Sequence, residues 1–387
     1  MHLAFLTSLL PESEPRSGFA IANRAVVDGL RALGHQVDVI GARSPDAETA
    51  DAGGGGETVE LGTLALENAH ASAAQRARWA VGALARGLPV ASSKLRTLPH
   101  DAVRSVRRRE HAALVVNSYQ MAAAFPQLLD RPYVYLAHNA EADTAKANAA
   151  EGPLHRRLLY RHNARVLRKL ERGLIQGAAH LWCLSRRDRD ALAVDGTPVS
   201  VLPLVLPDAA PLPDPRPKPF DAVMIGTWTW DANATGLRWF VQEVLPHLPG
   251  EIRVAVAGSV PSGVLPRDER IVPMGRVASA DGFLQQGHVV PLVARGGTGV
   301  QLKTVETFQR GLASVATASA VRGMSDLPAN CTVADEPLSF AAALVDAARR
   351  GREGASLRVD PTAFVARQRR RLLDGLGAGV ASLDAAS

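Results

Sequence analysis

The chain has 387 residues, 47% of them hydrophobic and 21% charged, with a formal net charge of +6. That length exceeds what one hydrophobic core supports and that composition is globular, which excludes a disordered or collagen-like chain and predicts two domains. No apolar run approaches the length of a membrane span, and two cysteines, Cys183 and Cys331 in apolar segments, exclude a disulfide scaffold and read as buried reduced thiols.

The first forty residues alternate strand, loop, helix and strand: HLAFLTS, LLPESEPRSG, FAIANRAVVDGLRALG, HQVDVIG. MHLAFLTSLLPESEP has no basic leader and too short an apolar run for a signal peptide, so a cytoplasmic location is expected. The glycine run at 53–56 reads as a turn, with no helix close enough behind it to make a phosphate cradle. Further strands are predicted at ALVVNS (113–118), YVYLAH (133–138) and LWCLS (181–185). Strands alternating with helices predict a parallel, doubly wound α/β sheet, whose ligands sit at the carboxyl ends of the strands.

The positive charge gathers in RSVRRREH (104–111) and LHRRLLYRHNARVLRKLERGL (154–174). In the second stretch Leu154, Leu158, Val166, Leu170 and Leu174 predict an apolar stripe, with Arg157, Arg161, Arg165, Arg168 and Arg172 around the rest. Such a helix reads either as an ordinary solvated face or as a surface that attracts anionic phospholipid or a phosphorylated acceptor. Nucleic acid is not expected as a partner, because no aromatic-rich motif accompanies the charge.

The proline-dense segment LPLVLPDAAPLPDPRPKPFD (202–221) predicts a connector. Domains are therefore expected at 1–205 and 206–361, with the helical segment 362–387 able to cross back to the first. Strands resume at FDAVMIG (220–226), IRVAVAG (252–258), RIVPMG (270–275), HVVPLV (288–293) and LASVAT (312–317). Between the last two lies ARGGTGVQLKTVETFQRG (294–311), a glycine-rich turn expected to open a helix near Val300. Glycines there let backbone approach a ligand closely, and helix N-terminal amides favour phosphate oxygens. Lys303 can offset diphosphate charge, and Glu306 can accept hydrogen bonds from a ribose diol.

This segment resembles the nucleotide-sugar site of GT-B glycosyltransferases of the family 4, or group 1, type. IGTWTWDANATGLRWFVQEVLP (225–246), YLAHNAEADT (135–144) and LWCLSRRDRDAL (181–192) are similar to three further motifs of that family, in the same order. The resemblance implies two Rossmann-like domains facing a central cleft, the first binding the acceptor and the second a nucleoside-diphosphate sugar. It makes Gly226, Thr227, Trp228, Asn233, Gly296, Gly297, Thr298, Gly299, Val300, Lys303 and Glu306 donor-binding. Family members carry a Glu-x7-Glu pair; Glu306 matches the second glutamate, but Thr298 stands in place of the first, and the segment after residue 225 supplies only Arg238 as a partner cation. His138 and Lys303 are the expected catalytic residues, the histidine as acceptor-orienting group or base. Arg16, Ser17, Gly18, Asn139 and Glu141, with Asp143 beside them, are expected to contact the acceptor, Glu141 and Asp143 equally able to cap a helix.

The expected activity is transfer of a sugar from a nucleoside-diphosphate donor to a hydroxyl acceptor in bacterial cell-surface polysaccharide or glycolipid assembly. A soluble acceptor and a non-catalytic nucleotide-sugar binding protein are the competing readings. No Asp-x-Asp stands at a strand end, so no metal and no cofactor are expected. The protein is expected to be cytoplasmic, with peripheral attachment to an anionic inner membrane face and a lipid-linked acceptor as further expectations.

Overall fold

The structure is a computed structural model that describes residues 1–12, 18–45, 55–65, 72–151, 154–206, 211–296, 299–324 and 326–386. The chain divides into two compact units, Met1–Leu204 with Arg369–Ser387, and Val205–Gln368. Each is built on one fully parallel sheet.

In the first unit the strands are β1 (His2–Leu9), β2 (Gln36–Arg43), β3 (Thr58–Thr63), β4 (Ala113–Asn117), β5 (Tyr133–Ala137), β6 (His180–Cys183) and β7 (Val199–Val201), in the order β3-β2-β1-β4-β5-β6-β7. In the second they are β8 (Phe220–Ile225), β9 (Val254–Ala257), β10 (Ile271–Gly275), β11 (Gly287–Leu292), β12 (Ser314–Ala316) and β13 (Cys331–Val333), in the order β10-β9-β8-β11-β12-β13. The order reverses between β1 and β4 and again between β8 and β11, and at such a switch point a crevice opens at the carboxyl ends of the strands.

The middle strands are covered by helices on both faces, so ALVVN and YVYLA are buried at every residue. That is why they read as continuous apolar runs. The sequence did not mark β3, β7 and β13. All three lie at sheet edges and are mostly half exposed, so they lack the apolar signature of a central strand. Cys331 sits in one of these edges and is only half buried, where the sequence suggested a buried thiol; Cys183 is buried.

The helix Leu154–Gly177 buries Ala164, Leu167, Glu171, Leu174 and Ile175 while Val166 and Leu170 are only half buried, so its packed face is rotated from the stripe read in the sequence. Glu171 lies on this packed face, where its carboxylate accepts the backbone amides described below. Arg161, Arg165, Arg168, Lys169 and Arg172 are exposed, and the side chains at 151–159 lie outside the described residues. Among the described residues no helix is long and apolar enough to cross a membrane.

The helix Thr362–Ala386 contributes its last turns to the first unit. Trp182, fully buried in β6, donates its indole Nε1–H to the Gly375 carbonyl at 2.9 Å, and the His180 Nδ1 lies 3.0 Å from Ser382 Oγ. A Cβ at Gly379 would stand 2.5 Å from the Trp182 ring. Glycine at this position lets helix and indole touch, and a larger side chain cannot be relieved by a rotamer change. Gly379→Leu should therefore lower the stability of the first unit by about 2 kcal/mol. Denaturant unfolding that leaves the midpoint unmoved would refute this packing.

Candidate functional site

The second unit gathers its functional groups at the β8/β11 switch point. Beyond Ile225 the chain passes Gly226, whose amide donates to the Ala257 carbonyl at 3.2 Å. Gly258 holds φ +104°, and a Cβ there would lie 1.9 Å from the Gly226 carbonyl oxygen, so only glycine allows these two strand ends to meet. Trp228 follows, 2% exposed, its indole donating to Ala257 O at 2.8 Å and its amide to Ser259 O at 3.0 Å. Asn233, in the first turn of the helix Asp231–Trp239, donates Nδ2–H to the Thr227 carbonyl at 2.9 Å, which turns Oδ1 the other way.

Lys303 enters this frame from the helix Leu302–Gln309, which starts two residues later than the sequence suggested because Gln301 is its extended N-cap. Its ammonium donates to Asn233 Oδ1 at 3.2 Å and lies 4.4 Å from the centre of the Trp228 ring. A Cβ on Gly226 would come within 2.5 Å of Nζ, so this glycine makes room for the amine. Both groups that hold the charge are neutral, an amide oxygen and an aromatic face. Burial pushes the amine down to about 8, partly offset by the nearby Glu306 carboxylate.

Glu306, one turn along, is half-buried, and burial raises its carboxyl, opposed by Arg310, which is itself anchored 2.8 Å from Asp281 Oδ1. The two sides enclose a recess of roughly 530 Å³, counted to its open mouth, lined among others by Ile225, Trp228, Gln301, Lys303 and Glu306. The hydroxyls of Thr304 and Thr307 also face this wall but are bonded to Ala320 O and Lys303 O, both at 2.7 Å.

Of the residues singled out in the sequence, Gly226, Trp228, Asn233, Lys303 and Glu306 come together here. Gly296, Gly299 and Val300 lie half-buried on the turn that leads to Lys303, Thr227 is exposed at the rim, and Gly297 and Thr298 lie outside the described residues. Trp230 is 59% exposed, whereas Trp228 packs. Arg238 is exposed, with its guanidinium 3.4 Å from Thr235 Oγ1. Sequence reasoning missed Gln301, whose only signal was its place at the helix start.

The first unit places a different chemistry at the β1/β4 switch point. Thr7 donates its hydroxyl to Leu9 O at 3.0 Å, and Asn117 donates Nδ2–H to Thr7 Oγ1 at 2.9 Å. Asn117 Oδ1 therefore faces His138 Nε2, 2.7 Å away, and the imidazole must carry its proton on that nitrogen. Burial pushes His138 down to about 3, so the ring is neutral and offers Nδ1 as an acceptor, stacked 4.4 Å from the Phe19 ring. Ser118, next to Asn117, is buried at φ +65°, strained backbone of the kind stored at functional sites. Neither Thr7 nor Asn117 was picked out from the sequence; a polar residue closing an apolar strand was the signal.

Beyond His138 the chain is pinned by carboxylates. Glu171 accepts from the amides of Glu141 and Ala142 at 2.8 and 3.1 Å, and Asp188 from Ala140 N at 3.0 Å. Burial raises Glu171 to about 7 in spite of those amides. Asn139 and Glu141 are half-buried in this segment and Asp143 is exposed; Gly18 is exposed at the start of the helix Gly18–Ala32, and Arg16 and Ser17 lie outside the described residues.

Residues 219–350 match the family described as glycosyl transferases group 1. The matched stretch lies within the second unit. Whole-chain likenesses agree: a sucrose-phosphate synthase from Thermosynechococcus elongatus aligns over 100% of both chains at 14% identity and a TM-score of 0.62. HepE of Anabaena, in complex with UDP, aligns over 100% of both at 12% identity and 0.58. WaaG, a glycosyltransferase involved in lipopolysaccharide biosynthesis, aligns over 94% of this chain and 98% of its own at 15% identity and 0.56. The two parallel-sheet units thus form a GT-B glycosyltransferase fold. No curated protein matches the chain in sequence.

The neutral setting of Lys303 has a direct readout. In NMR of the protein with 13C-methylated lysines, one resonance should titrate near pH 8 and be missing from Lys303→Arg. A Lys303 resonance that titrates with the surface lysines would show the amine to be fully hydrated.

Proposed function

We propose that the protein transfers a glycosyl group from a nucleoside-diphosphate sugar to a hydroxyl of a lipid-linked or surface saccharide. The observation that carries the reading is Lys303, a half-buried lysine whose amine is held by an amide oxygen and an indole at the β8/β11 switch point. A diphosphate is the ligand that such a cation completes. As the bond from sugar carbon to diphosphate oxygen breaks, the leaving oxygen takes the electron pair, and Lys303 with the amides of the glycine turn offsets its charge. The acceptor oxygen forms the new bond and gives up its proton. In this scheme charge compensation rests on Lys303 without a metal, and Glu306 receives the ribose hydroxyls. The first unit would bind the acceptor, His138 Nδ1 orienting its hydroxyl from a ring whose proton is already engaged on Nε2. An imidazole held near 3 favours this orienting role over storage of a proton. The HepE structures with UDP and with UDP-glucose recommend uridine as the first base to test.

Calorimetry against UDP, GDP, dTDP, ADP and NAD tests the donor site. One nucleoside diphosphate should bind, and Lys303→Ala should weaken it about 10- to 100-fold, the worth of a charge-assisted contact. The pH dependence follows from the amine: a bound diphosphate raises its pKa, so binding takes up a proton once pH exceeds about 8. Affinity should then fall with rising pH above that value, by up to ~10-fold per unit, and Lys303→Ala should lose this slope. Binding of none of these nucleotides, or of NAD alone, would overturn the reading.

For the acceptor side, the exposed arginines at 161, 165 and 168 support docking to an anionic surface at the cytoplasmic face of a membrane. Replacing all three with glutamate should abolish sedimentation with phosphatidylglycerol vesicles at low salt. Wild-type protein that stays in the supernatant would favour a soluble acceptor.

A further inference from the structure

At the opposite, amino-terminal edge of the first sheet, three potential ligands converge from adjacent strands. His2 begins β1, Asp38 lies in β2, and His111 immediately precedes β4, where Ala112 N bonds His2 O at 2.8 Å. Asp38 Oδ2 stands 3.1 Å from His2 Nε2 and 2.9 Å from His111 Nε2, and the three ligand atoms all fall within 4.8 Å of one another. Among the described residues this is the one His, Cys, Asp and Glu cluster so arranged.

We propose that His2, Asp38 and His111 bind a zinc-class divalent cation that ties β1, β2 and the start of β4 together. Ligand atoms placed about 2.0–2.2 Å from such an ion at angles of 90–109° lie roughly 2.9–3.5 Å apart, the spacing found around Asp38 Oδ2. One observation favours an ion over a simple shared hydrogen bond. His2 Nε2 is buried and, although 3.1 Å from the carboxylate, makes no aligned hydrogen bond to it. His111 Nε2 is hydrogen-bonded to the same carboxylate oxygen at 2.9 Å, so a bound ion would displace the proton that now bridges them.

The cluster is also preorganised. Asp38 Oδ1 accepts the Glu57 amide at 2.8 Å, and the two imidazoles pack edge to face at 4.6 Å. Arg109 comes within 3.8 Å of Asp38 Oδ2, but its short contact, 2.8 Å, is to Glu57 Oε2. Asp38 and His111 are buried, and His2 is partly open, which gives an ion an entry path. Two imidazoles and one carboxylate select zinc and its neighbours over magnesium or calcium. The proposal is independent of sugar transfer.

The test is dialysis against chelator, then Zn²⁺ alone, reading bound metal per chain and thermal midpoint. Wild type should retain about one equivalent and gain on the order of 3 °C, with no gain from Mg²⁺. His2→Gln, at the partly exposed ligand, should fold and lose both effects; Asp38→Asn should lose them too. A wild-type midpoint that Zn²⁺ leaves unmoved or lowers would overturn the site. So would a His2→Gln variant that binds and responds as wild type, which would place the ion elsewhere.

Discussion

A lysine amine withdrawn from water must be given partners, and in the second unit those partners dictate the backbone around it. Trp228 can lie under Lys303 only because its indole N–H is satisfied by Ala257 O. Asn233 can present its oxygen only because its NH₂ is bound to Thr227 O. The amine has room only because position 226 lacks a Cβ, and the Gly226 backbone in turn has room only because position 258 lacks one. Each neighbour is itself fully bonded, so the frame has little freedom to collapse onto the charge. The remaining electrostatic demand is directed outward, to whatever enters the recess.

The first unit solves the opposite problem. There the chain from Leu9 O through Thr7 and Asn117 to His138 passes donors in one direction and ends on a ring that stays neutral. Burial acts in both units, lowering the amine and the imidazole alike, yet with different results. A lysine brought to about 8 still carries its charge at neutral pH, whereas a histidine brought to about 3 has none to offer. One side chain thereby keeps its charge and the other stays neutral.

How much of this was legible in the sequence depends on where a residue sits. Central strands are visible because both their faces are buried; β3, β7 and β13, at sheet edges and largely unburied, carry no such mark, although the edge strand β10 was still legible from its Ile271-Val272 pair. Lys303 and Glu306 stand out because glycines precede them on a turn into a helix, a local pattern. Asn117 and Thr7 do not, since they are 110 residues apart and only sheet pairing brings them together. The packed face of Leu154–Gly177 was misread because a glutamate, Glu171, occupies a buried position that a hydrophobic pattern assigns to solvent. Polar groups buried for a structural reason are the ones periodicity cannot place.

The course of the last helix has a consequence for biosynthesis. Residues 369–386 belong to the first unit, yet they follow the whole of the second in the chain. A ribosome releases β6 with Trp182 and His180 long before Gly375, Gly379 and Ser382 exist to cover them. The flank of the first unit that these residues cover therefore cannot close until the second unit has been synthesised. A fragment cut at the proline-rich connector lacks the helix that closes the first unit.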